Sequence, residues 1–166
     1  MANPTNFQTV PLDAIPQIVK TAEFSEHRPV VLVVDEEQTV ADTRAAVLNR
    51  WGYAAFTACD VESAFALARL VPPELLICDV LMTGMNGVDL AIAMKEMVPD
   101  CKVLLLYGQV GTDILSSTSY SDHGFAALTK PIHPEDMLAQ LAKLKDSVAP
   151  AHPPDSGTVT RLQFDL

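Results

Sequence analysis

Apolar residues along this chain fall into two kinds of run that alternate. Val30-Val31-Leu32-Val33-Val34 is continuous, β-branched and free of charge, the pattern of a strand covered on both faces. Val40, Val47, Leu48 and Trp51 then recur at helical spacing, and Gly52 is placed to end that helix. A short strand is predicted over 53–58. Asp60 is a candidate cap for a helix that runs to about Leu70, and Pro72-Pro73 closes it. Leu75-Leu76-Ile77-Cys78 predicts a third strand, 88–97 a helix with Pro99 beyond it, and Val103-Leu104-Leu105-Leu106 a fourth strand. A fourth helix belongs over 112–121, but Ser116-Ser117-Thr118-Ser119 form helix poorly, so a short or mobile one is expected. A fifth strand over 125–129 and a last helix from Pro134 to about Lys145 complete the series, with proline in the first turn, where its missing N–H costs nothing.

Strand–helix repeats with all-apolar strands predict an α/β fold, a parallel sheet with helices on both faces. The ends of the chain read differently. Residues 1–28 form an extension carrying Pro4, Pro11 and Pro16, with one short helix expected around 17–24. The domain proper spans 29–146. From 147 to 166 the chain has linker composition, Ala-Pro-Ala-His-Pro-Pro-Asp-Ser-Gly, and then a short tail over 158–166.

Composition narrows the function. With 49% hydrophobic residues the chain can bury a full core without disulfides or a structural metal. Its net charge of -10 leaves no basic stripe, which argues against direct nucleic-acid binding. Cys59, Cys78 and Cys101 are odd in number and lack CxxC spacing, so neither a disulfide framework nor a zinc site is expected, and a reducing cytoplasm fits. Cys78 reads as a small buried hydrophobe. The N-terminus lacks a signal-peptide pattern, and no apolar run approaches the roughly 20 residues that span a bilayer, so no membrane association is expected.

Ligands of parallel sheets bind outside the carboxyl ends of the strands. That rule gives four charged residues meaning. Asp35 and Glu36 follow the first strand, Asp79 follows the third and Lys130 follows the fifth, so all four are expected on one edge. Three clustered carboxylates need a counter-charge, which Mg²⁺ can supply through oxygen ligands. Lys130 adds a point charge suited to a phosphoryl oxygen. A carboxylate in line with a phosphodonor can become an acyl phosphate, a reaction that asks mainly for positioning and charge neutralisation. A phosphatase with an aspartyl nucleophile would carry it after the first strand with a second Asp two residues on; Glu37 stands there instead. His123 and His133 lie near the same edge but share no ligand spacing, so they read as structural or solvated.

On Val33-Val34-Asp35-Glu36-Glu37, on Asp79-Val80-Leu81-Met82-Thr83-Gly84-Met85-Asn86-Gly87, and on Leu128-Thr129-Lys130-Pro131, residues 29–146 resemble the receiver domain of two-component response regulators. The resemblance implies a doubly wound, flavodoxin-like fold of five parallel strands in the order 2-1-3-4-5. It implies that Asp79 is the phosphoacceptor, and that Asp35, Glu36, Asp79 and the Leu81 backbone carbonyl hold Mg²⁺. Lys130 would bind the phosphoryl group, with a cis bond to Pro131. A histidine kinase or phosphotransfer protein would be the donor and a downstream protein the target. Dimerisation through the fourth helix, fifth strand and fifth helix is also implied, and the domain would signal rather than act as an enzyme. Three positions depart from the pattern. Thr83 replaces a usual proline. Tyr107, followed by Gly108, stands where the family has a small hydroxyl residue, and Ala127 stands where it has an aromatic ring. These last two sit at both ends of the pair that couples phosphorylation to the output face. A phosphorylation-independent interaction module is therefore the alternative expectation.

Overall fold

The computed structural model describes residues 27–109 and 122–147. Within them five strands form one parallel sheet: β1 (Val30–Val34), β2 (Ala54–Ala58), β3 (Leu75–Asp79), β4 (Lys102–Tyr107) and β5 (Ala126–Thr129), in the order β2-β1-β3-β4-β5. The helices are α1 (Gln38–Arg50), α2 (Val61–Leu70), α3 (Gly87–Met97) and, after β5, α4 (Pro134–Asp146). The expected doubly wound topology is the observed one. The segments expected as helices over 17–24 and 112–121, and the tail over 158–166, lie outside the described residues.

Strand side chains alternate between two faces, and each face has its own core. Val31, Val33, Leu75, Ile77, Leu104 and Leu106 pack under α1 and α4, with Leu48, Met137 and Leu141. Leu32, Val34, Leu76, Cys78, Val103 and Leu105 pack on the other side with Ala64 and Ala68 of α2 and Leu90, Ala91 and Met94 of α3. All five β3 residues are buried, which explains why that strand reads as a solid apolar run. Each fully buried Leu, Val or Ile contributes roughly 1.5–3 kcal/mol.

Local signals set the helix ends. The Asp60 side chain accepts from the Ser63 N–H at 2.7 Å and caps α2, as expected. Asn86 caps α3 in the same way, accepting from the Asp89 N–H at 2.9 Å. Gly52 takes φ +88° just past α1, a left-handed conformation that favours glycine. One expectation fails: Trp51 is not on the inner face of α1. It follows the last helical residue and is 69% exposed, and the buried stripe is Ala41, Ala45 and Leu48. Apolar character set Trp51 into the helical pattern, but it stands as the C-terminal cap of α1 and not on its buried stripe.

Candidate functional site

The register of the sheet builds the site. β1 pairs with β3 so that Val34 lies opposite Cys78. Asp35, one residue past β1, and Asp79, the last residue of β3, are therefore neighbours across strands about 4.8 Å apart. Both are buried, at 3% and 8% exposure, while Glu36 is exposed. β4 separates β3 from β5, and the Lys130 N–H donates to the Tyr107 carbonyl at 2.7 Å, tying the end of β5 to the end of β4. From there the Lys130 side chain crosses β4, and its Nζ lies 2.5 Å from Asp79 Oδ2. The Lys130–Pro131 bond is cis.

Each carboxylate has a defined partner. Asp79 Oδ1 accepts from the Leu81 N–H at 3.2 Å, and Oδ2 faces Lys130. Asp35 Oδ1 accepts from the Glu37 N–H at 3.0 Å, and Oδ2 accepts from Arg44 Nη1. The Glu36 carboxylate reaches over the loop that follows β3 and accepts from the Thr83 N–H. Beside it a cleft of about 350 Å³ is lined by Glu36, Asp60, Glu62, Met82 and Thr83.

The backbone under Asp79 is packed to the limit. The Gly87 N–H donates to the Val80 carbonyl at 2.9 Å, and the Val80 N–H donates to the Leu106 carbonyl at 2.8 Å. A Cβ on Gly87 would sit 2.1 Å from the Asp79 carbonyl oxygen, so the start of α3 lies directly on the strand end that carries Asp79. Glycine at 87 is thus a requirement of close approach, not of φ.

The expected residues Asp35, Asp79 and Lys130 are brought to one edge, and Glu36 and Leu81 border it. Tyr107 and Ala127 both pack, half-buried, against the core under α2 and α3. Leu105 lies opposite Ala127, and Tyr107 lies opposite Thr129. His133 precedes α4 and makes no side-chain cap, and the His123 ring stacks on Phe125 at 5.3 Å. Arg44 was not foreseen. It falls three residues after Ala41 and four before Leu48, on the buried stripe of α1, and a cation at a core-facing position is the signal that could have found it.

The donor set suits a hard divalent cation: all its groups are oxygens, and Asp35 and Asp79 are side by side. In the described residues, however, no three acidic, His or Cys side chains are gathered as a ready cage, and each carboxylate is engaged by a cation or an N–H of the protein itself. Mg²⁺ is commonly held by only one or two carboxylates with waters, so the residues fit it without a full cage.

Comparison with known proteins agrees with the fold. The family model of the response regulator receiver domain matches residues 31–142. The chain is 26% identical over 132 residues to the photosynthetic apparatus regulatory protein RegA of Cereibacter sphaeroides, covering 76% of this chain and 67% of RegA. It is 32% identical over 116 residues to the probable transcriptional regulatory protein TcrX of Mycobacterium tuberculosis, covering 69% of this chain and 48% of TcrX. The chain thus spans about two thirds of one relative and about half of the other. Among solved structures, a response regulator from Thermotoga maritima superposes with a TM-score of 0.63 at 26% identity, covering 72% of this chain and 99% of that one.

Proposed function

The chain belongs to the response regulator receiver domain family, and from that membership we propose that it takes a phosphoryl group on Asp79 and so changes the protein surface it offers to a partner. One observation carries the reading: Lys130 and Asp79, 51 residues apart in sequence, meet at 2.5 Å across an intervening strand, next to Asp35. An ammonium held against a buried carboxylate at the carboxyl edge of a parallel sheet is the equipment for phosphoryl transfer.

A side-chain oxygen of Asp79 attacks phosphorus of a phosphohistidine on a histidine kinase or phosphotransfer protein. The new O–P bond makes an acyl phosphate, the N–P bond breaks, and its electron pair returns to the imidazole. Lys130 then trades its carboxylate contact for a phosphoryl oxygen. The Leu81 N–H orients Asp79 through Oδ1, and Gly87 fixes the backbone beneath it. Asp35, Glu36 and Asp79, with the Leu81 carbonyl, would hold Mg²⁺, which supplies counter-charge for the phosphoryl oxygens. Output would pass to a downstream protein in the cytoplasm, with dimerisation through the face that includes β5 and α4. Among the described residues no helix is long and apolar enough to cross a membrane.

Tyr107 and Ala127 favour a second reading, in which the domain binds its partner without phosphorylation, because the pair that would relay the signal is altered at both ends. Incubation with acetyl phosphate and Mg²⁺ separates the two. The proposed function predicts a gain of one phosphoryl mass that EDTA abolishes; no gain under saturating donor would leave the phosphorylation-independent reading.

A further inference from the structure

We propose that Arg44 is a positioning residue of this site, an internal cation that occupies Asp35 when no metal is bound and thereby weakens the site's hold on a divalent cation. The inference rests on the reading of the acidic edge as a Mg²⁺ site, and it concerns a residue outside the ligand set.

The placement of Arg44 is unusual on physical grounds. It lies on the inner stripe of α1 among Ala41, Ala45 and Leu48, where a helix of this amphipathic kind carries an apolar side chain. Its side chain is only 15% exposed, and the Asp35 side chain it meets is 4% exposed. Arg44 also lines a groove of about 300 Å³ between α1 and α4, with Val47, Ile132 and Met137, and its guanidinium donates to Asp35 Oδ2. Arginine stays charged whatever its surroundings, so this cation is permanent.

Charge bookkeeping shows the consequence. Asp35, Glu36 and Asp79 bring three negative charges, and Lys130 offsets one of them. Arg44 offsets a second, leaving a net charge of -1 instead of -2 for an entering dication to meet. A cation one side chain away from the metal position opposes a divalent ion by an amount that corresponds to about tenfold in affinity even under the full screening of bulk water. Arg44 must also give up, or share, the Asp35 oxygen that it holds. The metal-free domain is in this way kept folded by the protein's own counter-ion, and the metal-bound domain replaces that counter-ion with Mg²⁺.

The test uses the full chain and MgCl₂ at constant ionic strength. Mg²⁺ affinity is read from the amide resonances of Val80 and Leu81, and the thermal midpoint is read with and without saturating Mg²⁺. Arg44→Met keeps an unbranched stem in the groove and removes the charge. It is expected to bind Mg²⁺ about tenfold more tightly than wild type. Its midpoint should fall without metal and recover with it, so its Mg²⁺-dependent gain exceeds that of wild type. Arg44→Lys keeps the charge and should stay within about twofold of wild type in affinity. Arg44→Gln serves as a second neutral variant. A merely structural arginine would lower the midpoint equally with and without Mg²⁺ and leave affinity unchanged, and that result overturns the proposal. So does a neutral variant that stays unfolded in saturating Mg²⁺, since the metal then fails to replace the guanidinium. A wild-type chain with no saturable Mg²⁺ response would overturn the Mg²⁺-site reading itself and this inference with it; wild-type binding that Arg44→Met leaves untouched overturns only the inference.

Discussion

Replacing Gly87 with alanine adds one methyl group at the most crowded point beneath the site. The new Cβ would stand 2.1 Å from the Asp79 carbonyl oxygen, 2.8 Å from its carbonyl carbon and 2.9 Å from the Val80 Cα, where ordinary contact begins near 3.4 Å. All three are backbone atoms, so no flexible side chain can swing away. The start of α3 and the end of β3 must part by more than an ångström, and the 2.9 Å bond from the Gly87 N–H to the Val80 carbonyl stretches with them. Overpacking of this kind costs about 1–3 kcal/mol. Helix propensity alone would favour alanine by up to about 1 kcal/mol, so the sign of the effect discriminates sterics from propensity. We expect Gly87→Ala to lose about 2 kcal/mol in urea unfolding, in the middle of that overpacking range. Displacing Asp79 by that distance should also slow acetyl-phosphate-driven phosphorylation by about a hundredfold. Gly84→Ala is the control. Gly84 has φ +84° and open space around it, so its cost is the left-handed backbone alone, roughly 1–2 kcal/mol, without pressure on Asp79. A Gly87→Ala variant within about 0.5 kcal/mol of wild type, with an unchanged phosphorylation rate, would refute the close-packing account.

Three further outcomes are expected. Native protein should react with a thiol alkylator at Cys59 alone, because Cys59 is exposed while burial pushes the Cys101 thiol up to about 12 and raises Cys78 further still, helped by the charges of Asp79 and Asp35; intact-protein mass showing two or three adducts before unfolding would contradict this. The Ser63 N–H bond lowers the Asp60 carboxyl below its usual range, so the cap's contribution is full above the ordinary carboxylate value and fades as pH falls through the lowered one. Asp60→Asn, which still accepts the bond, should flatten that part of the melting-temperature profile between about pH 5 and 2, and an identical acid slope in both proteins would count against the cap. Tyr107 offers no small hydroxyl and Ala127 no ring, so beryllofluoride should move few amide resonances in wild type. Tyr107→Thr with Ala127→Tyr should enlarge the response by the worth of one charge-assisted hydrogen bond, about 1.5–3 kcal/mol; equal responses in the two proteins would show that the altered pair is immaterial.

The strands were legible because a parallel sheet covered on both faces leaves little room for polar residues: Val30–Val34 has no charged residue and Leu75–Asp79 has only its last. Asp35, Asp79 and Lys130 could be placed on one edge because topology alone puts the ends of parallel strands together. What escaped depends on three-dimensional proximity. Arg44 stands out only when its helical stripe is known to be buried, since a basic residue is common on a helix that has one face in water, and α1 also carries Arg50 in its last turn. Trp51 was misplaced because an apolar residue at helical spacing need not be a buried one. Gly87 stands just before the helix expected over 88–97, and only the fold shows the Asp79 carbonyl lying where its Cβ would be. The engagement of every site carboxylate by an internal partner is likewise a property of side-chain reach, which spacing along the chain does not encode.

The central claim is that Asp79 is the phosphoacceptor. Its most direct test is to load the chain with acetyl phosphate and Mg²⁺, reduce with borohydride, and map the product by peptide mass spectrometry, since borohydride converts an aspartyl phosphate to homoserine. The account predicts homoserine at position 79 and nowhere else, lost in Asp79→Asn. Homoserine at another aspartate, or phosphate uptake that persists in Asp79→Asn at the wild-type rate, would contradict it.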